Sequence, residues 1–359
     1  MKKLLALLLT CTLSLALLAG CGQTEPAAEE TPDAQTETDT TTDTGDLEKI
    51  VITEDVRGYH WAPAYLAQTL GYFAEEGLDA EFQTIKGGDA SAPVLSGDAQ
   101  FCLKGIETAL MLNEAGQGCK IILSATQKYP YQLVGASEEY STIESLKGQV
   151  VAGGLSTNSG PYSFAKACIA SVGMDPDSDV NVTTMASSGY AAAIASGSLQ
   201  GAVATNPWSA KMLSDAGAVV IVDGTDEAVI EKIIGSASYE LFTVITSDAL
   251  IESDPELVQK AVNAMVKAMQ WMEQASPEEI AEQLSTLFDG AQEGELLYDA
   301  QYDKEHEVAN YTGYHTASGF QAGVELTKLA GGITGDPTED QIYDESFLDD
   351  AWQSVTNKE

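Results

Sequence analysis

Six short stretches of this chain combine polar, ring and glycine residues as a small-molecule site requires. Arg57, Tyr59, His60 and Trp61 stand together in one loop. Gly88-Asp89, Gly105 with Glu107 and Thr108, Asn158-Ser159-Gly160, Ser187-Ser188 and Asn206-Pro207-Trp208 supply the other five. Arg57 is the only arginine in the chain. Its planar fork suits a carboxylate, sulfonate or phosphate, or else an ion pair with an acidic neighbour. Tyr59, His60 and Trp61 are suited either to stack on a flat ligand or to pack between elements. Tyr131 and Trp208 carry the same two readings. Ser159 and its neighbours fit a helix N-cap ahead of Pro161, and the same unpaired backbone N–H groups suit a ligand oxygen. Glu107, near Lys104, reads as a paired acid or as a clamp. No Ser/His/Asp or paired-carboxylate spacing is readable. His60, His306 and His315 are scattered, and none of the five cysteines shows a metal-ligand spacing. The residues therefore call for no metal and no cofactor.

The elements that must position these residues alternate. Ile50-Val51-Ile52 opens a strand, and Pro63 stands where a first helical residue belongs. Leu66, Leu70 and Phe73 mark the buried face of a helix over 63–75, which breaks at Gly71 or Gly77. Strands are expected at 78–84, 99–103, 120–125 and 131–134, with helices between the earlier ones. A second alternation follows, with strands at 150–152, 180–184, 201–205 and 219–222. Strand–helix alternation of this kind argues for two α/β lobes with mostly parallel sheets. A strand from Tyr239 returns to the first lobe, and the rest is helical. Leu257, Ala261, Met265, Ala268 and Met272 form one apolar face. Two S-x-x-E runs, from Ser253 and Ser276, predict capped helix starts. Helix 316–329 and the tail 342–352 are expected on the first lobe.

The termini and the charge set the surroundings. Residues 1–20 read as a secretory leader, with Lys2 and Lys3 ahead of a short apolar run. Leu18-Ala19-Gly20-Cys21 looks like a bacterial lipobox, in which Cys21 is diacylated and becomes the new N-terminus. Residues 21–46 are then the lipidated cysteine and a disordered acidic tether, too polar to offset ordering entropy. The full chain of 359 residues carries 17 basic and 55 acidic side chains, a net charge of −38. Such a surface repels nucleic acid and anionic headgroups, so neither is an expected partner. The boundaries expected are 47–136 with 237–359 for the first lobe and 137–236 for the second. Cys102, Cys119 and Cys168 read as buried thiols, with a Cys102–Cys119 disulfide as the alternative.

The order of several short runs carries a family resemblance. Pro63-Ala64-Tyr65-Leu66-Ala67 is followed by Gly71-Tyr72-Phe73-Ala74-Glu75-Glu76-Gly77-Leu78-Asp79. Leu95-Ser96-Gly97-Asp98-Ala99, Ser145-Leu146-Lys147-Gly148 and Ala195-Ser196-Gly197-Ser198-Leu199 come later. Together they resemble the nitrate/sulfonate/taurine and thiamine-precursor group of ABC-transporter substrate-binding proteins. The resemblance implies a type II periplasmic-binding-protein-like fold: two α/β lobes, a two-stranded hinge and a central cleft. It implies a monomeric lipoprotein that captures a small solute and delivers it to an ABC permease and ATPase. The lone arginine and the ring residues suggest a flat organic solute with at most one anionic group. An enzyme of the same fold acting on a thiamine-precursor-like or small-acid substrate is one alternative. A receptor lipoprotein serving a membrane sensor is another. The chain has Gly201 and Asn206-Pro207 where the family usually has other residues, which weakens any borrowed ligand specificity.

Overall fold

The computed structural model describes residues 47–85, 89–157, 159–205, 208–288 and 293–356. The expected leader, Cys21 and tether lie outside the described residues, as do Gly88, Asn158 and Asn206. Among the described residues, no helix is long and apolar enough to cross a membrane.

Among the described residues, ten strands form two sheets. The strands of the first are β1 (Glu48–Glu54), β2 (Leu78–Thr84), β3 (Phe101–Gly105), β4 (Cys119–Ser124) and β10 (Phe242–Ser247), in the order β2-β1-β3-β10-β4. Those of the second are β5 (Gln132–Gly135), β6 (Val150–Ala152), β7 (Asn181–Thr183), β8 (Gly201–Ala204) and β9 (Val219–Asp223), in the order β7-β6-β8-β5-β9. β1 pairs parallel with β2 and β3, and β6 pairs parallel with β7 and β8. In each sheet one antiparallel strand is inserted fourth: β10 in the first, β5 in the second. Both follow a crossing of the chain from the other sheet. Each lobe is thus completed by a strand delivered through the junction.

This corrects one expected boundary. Residues 132–135, assigned by the expected division to the first lobe, pair with Val203 and Val222 in the second sheet. The outward crossing therefore lies between Ser124 and Gln132, and the return between Asp223 and Phe242. The two crossing segments bond to each other: Tyr239 N donates to Gln127 O at 3.0 Å, and Gly224 N to Tyr131 O at 2.9 Å. A Cβ on Gly224 would stand 2.4 Å from Tyr129 O, so this closeness depends on glycine. Rings fill the junction, with Tyr129 and Tyr239 centroids 4.5 Å apart and Tyr129 and Phe164 4.6 Å apart.

The first helix is divided as expected. Gly71, at φ 81°, separates Ala62–Thr69 from Tyr72–Glu75. Helix Pro255–Gln274 buries the expected face, Leu257, Ala261, Met265, Ala268 and Met272. A fully buried side chain of the leucine or methionine class contributes about 1.5–3 kcal/mol. Ser276 and Glu279 form the expected capping box. The box expected at Ser253 does not form, because Asp254 caps that helix, accepting from Leu257 N at 3.0 Å. The C-terminal helix Ser346–Thr356 packs on helix Pro255–Gln274 and on β4. Helix Ala317–Leu329 reaches further than expected: it touches helix Ile106–Glu114 of the first lobe and helices Gly160–Ser171 and Glu227–Ile234 beside the second sheet. Cys102, Cys119 and Cys168 are buried free thiols, so the alternative disulfide is absent.

Candidate functional site

A cavity of about 420 Å³ opens between the two lobes. This lies in the range of small-molecule sites, about 300–1,000 Å³. Its first wall is the loop Asp55–Trp61, the end of β3 at Leu103–Gly105, and Leu241-Phe242 entering β10. Its opposite wall is Gly154–Ser156, Ser159–Pro161, Ala186–Ser188, Ala204-Thr205 and Trp208. Tyr131 from the junction, and Phe288, Glu295, Leu296 and Asp299 from the C-terminal part, complete it.

Of the residues singled out in the sequence, Arg57, Tyr59, His60, Trp61, Gly105, Tyr131, Ser159, Gly160, Ser188 and Trp208 line this space. Three others lie outside its wall. Asp89 accepts from Ser91 N and Oγ and lies 3.4 Å from Lys104 Nζ. Glu107 is buried behind Gly105 and accepts from Tyr239 Oη at 3.3 Å, with burial pushing its carboxyl up to about 7. Thr108 sits on helix Ile106–Glu114, half-buried and away from the cavity. Glu107 is therefore a core acid at the junction rather than a clamp, because its place in the first helical turn aims it into the Tyr239 side of the core.

The aromatic loop is held from several directions. The Tyr59–Trp61 turn feeds directly into helix Ala62–Thr69, with Pro63 in its first turn. Trp61 donates its indole N–H to Thr243 O at 3.1 Å and meets the Phe242 ring edge-on at 4.8 Å. Tyr59 is buried and donates to Asp303 Oδ2 at 3.3 Å. Both rings thus pack and line the cavity at once, so the two readings of them are not exclusive.

Arg57 is largely committed within the protein. Its Nε donates to Glu54 Oε1 at 2.8 Å and its Nη1 to Leu287 O at 2.5 Å. The Glu54 side chain is fully buried. The ion-pair reading of Arg57 is therefore realised, although with a buried partner rather than a surface one. Lys104, the other basic side chain in the wall, bonds to Asp55 and lies 3.4 Å from Asp89. Ser159 precedes helix Gly160–Ser171, but its hydroxyl turns back to Ser156 O at 2.7 Å and makes no cap bond.

Two groups in the wall stand without partners. The His60 ring is stacked on Phe242 at 4.7 Å, and both its nitrogens are sealed from solvent with no hydrogen bond among the described residues. Burial lowers its value to about 4, so the ring is neutral at physiological pH. Asp299 is 7% exposed, and its Oδ1 also lacks a partner. Burial, with Glu295 and Asp303 adding repulsion, pushes its carboxyl up to about 8. Asp303 beneath it is raised to about 7 by burial. Buried polar groups are almost always bonded, so unpaired ones on residues that line a cavity single out this part of the wall.

Sequence reasoning missed Asp55, Lys104, Leu155, Phe242, Phe288, Glu295 and Asp299 as wall residues. Glu295, Asp299 and Asp303 recur every four residues along helix Glu293–His306, which places them on one face. That spacing was the available signal.

The comparisons with known proteins agree with this architecture. YtlA of Bacillus subtilis (strain 168), whose name is "Putative binding protein", is 27% identical over 273 residues, 73% of this chain and 78% of its own. The ligand-binding component of an ABC-type import system from Staphylococcus aureus, solved with zinc bound, shares the fold with a TM-score of 0.66 and 14% identity, over 85% of this chain and 99% of its own. The desulfurization enzyme DSZB shares it with a TM-score of 0.61 and 14% identity, over 86% of this chain and 99% of its own. The fold is therefore the periplasmic-binding-protein-like one, and proteins carrying it include both binding components and an enzyme. The model of the NMT1/THI5-like family matches residues 59–280, more than half of the chain, and the chain belongs to that family.

Proposed function

We propose that this protein captures a small, flat organic solute in the cavity between its lobes and delivers it to the permease and ATPase of an ABC importer. It works as a monomer outside the cytoplasmic membrane, anchored by lipid on Cys21 and freed by the tether to reach the permease. The segments 125–131 and 224–241 act as the hinge on which the lobes close. The observation that carries this reading is the His60 ring, which is stacked on Phe242 in the cavity wall with both nitrogens unpaired. A solute whose entry opens the wall to these sealed nitrogens would supply the donor or acceptor that the protein leaves them without.

The same observation favours capture over turnover. A catalytic imidazole needs a nucleophile or an orienting acid within hydrogen-bond reach, and His60 has neither among the described residues. The three described cysteines are buried, and burial raises all three thiols, away from the thiolate a nucleophile requires. The test is to incubate the purified protein with a small-molecule extract of bacterial cells, wash it, and identify what remains. Capture returns a solute chemically unchanged after prolonged incubation. A converted product would replace this reading with the enzymatic one.

A further inference from the structure

The wall of the cavity carries five acidic or basic side chains: Asp55, Arg57, Lys104, Glu295 and Asp299. Both cations are answered within the protein. Arg57 is bonded to the buried Glu54, and Lys104 to Asp55 with Asp89 at 3.4 Å. The two acids of helix Glu293–His306 are not answered. Neither Glu295 nor Asp299 forms an ion pair among the described residues. Lys211, which acts on Glu295 through space, is exposed and bonded to Asp215 at 2.7 Å.

Resting on the reading that the cavity captures a solute, we propose that this solute is a flat ring compound bearing a positively charged nitrogen, with Asp299 as its counter-charge and Glu295 in support. Asp299 lines the cavity and is more than nine-tenths buried, and its Oδ1 has no partner among the described residues. A buried carboxylate without a counter-ion keeps its proton, and a cation entering the cavity takes the place of that proton. The ring walls suit the same charge. Trp61, Phe242, Tyr131 and Trp208 line the same space, and aromatic rings attract cations as well as flat bodies. An anionic solute would meet Asp299 and Glu295 and find Arg57 and Lys104 already engaged. This narrows the expectation of a flat organic solute with at most one anionic group to one that carries none.

The test uses wild type and Asp299→Asn, which keeps the shape and removes the charge. Removing an unpaired buried acid spares the fold, so the unliganded variant should melt at or above the wild-type temperature. Binding of benzamidine, benzamide and benzoate, three flat molecules of like shape, is compared by calorimetry and ligand-observed NMR. The solute captured from the cell extract is identified in parallel, and its charge at pH 7.5 is measured. The expected result is a captured cation whose affinity falls at least tenfold in Asp299→Asn, with benzamidine preferred to benzoate by wild type alone. A captured anion or neutral solute, or an affinity changed less than twofold by Asp299→Asn, overturns the charge assignment and leaves solute capture standing. Capture of nothing from the extract, with none of the three probes bound, overturns both.

Discussion

Tyr302 places its hydroxyl 3.3 Å from Asp223 Oδ1, and so ties helix Glu293–His306 to the last strand of the second sheet. Thr225 Oγ1 stands 3.3 Å from the same hydroxyl, and Gln132 Nε2 donates to Asp223 Oδ2 at 2.7 Å. One turn earlier the same helix presents Asp299 to the cavity, and one residue later Asp303 receives Tyr59. A single helix thus carries the unpaired acid, supports the aromatic loop and touches the far lobe. Tyr302→Phe should lower stability by about 0.5–1.5 kcal/mol, the usual net value of one such bond. Hydrogen exchange at residues 223–225 should quicken. Unchanged exchange there would mean that the contact does not restrain the second lobe.

His60→Phe should separate folding from binding. The replacement keeps a ring stacked on Phe242 and removes two unpaired nitrogens, so the unliganded protein should be as stable as wild type or more so. Affinity for the captured solute should fall about tenfold, equivalent to about 1.4 kcal/mol. Chemical denaturation and calorimetry on the same preparation check both halves. Equal affinity would remove His60 from the binding surface.

Arg57→Ala should act chiefly on stability. It would leave the buried Glu54 without its cation, a loss of about 2–3 kcal/mol once the partial exposure of Arg57 is allowed for. Solute affinity, measured below the melting range, should change less than with Asp299→Asn. Glu54→Gln combined with Arg57→Ala should recover part of the lost stability. A double variant no more stable than Arg57→Ala would show that the pairing is not the source of the effect.

Much of this arrangement was legible because it is local. Pro63, Gly71 and the Ser276–Glu279 box act within a few residues of themselves, and the structure places them as expected. What was hidden depends on distant partners. β5 looks like any short apolar strand, and only its pairing with β8 and β9 assigns it to the second sheet. Arg57 keeps two readings in the sequence until the fold brings Leu287 O to its Nη1 from the far end of the chain and buries Glu54 against its Nε. Helix Glu293–His306 mixes tyrosines and acids around its circumference, so no apolar stripe announced it, and its acids passed as surface charge.

The raised acids give a pH dependence with a definite sign. Asp299 is raised to about 8, and Asp303 and Glu107 to about 7, mainly by burial. Each keeps its proton in the folded chain where the unfolded chain, with carboxyl values near 4, has lost it. Their stabilising contribution is full below that unfolded value and is lost as pH rises through 7 to 8. His60, lowered to about 4, works in the opposite direction, but only below its ordinary value of 6.5. His315, whose value is raised, adds to the direction of the acids. Between about pH 6.5 and 8 the unliganded protein should therefore lose stability, by at most about 1.4 kcal/mol per pH unit for each group. Asp299→Asn should flatten this slope in urea melts. Glu295, Asp303, Tyr59 and Tyr298 are the titratable neighbours that act with Asp299. A slope identical in wild type and Asp299→Asn would show that Asp299 is ionised in the folded protein throughout this range.

Native mass spectrometry after exposure to a cell extract tests solute capture most directly. Ser188 lies exposed on the cavity wall, so Ser188→Trp should fill the space without disturbing the core. Solute capture requires one small molecule per wild-type chain, released chemically unchanged on denaturation and absent from Ser188→Trp. The same added mass on both proteins, or a molecule released in altered form, would contradict it.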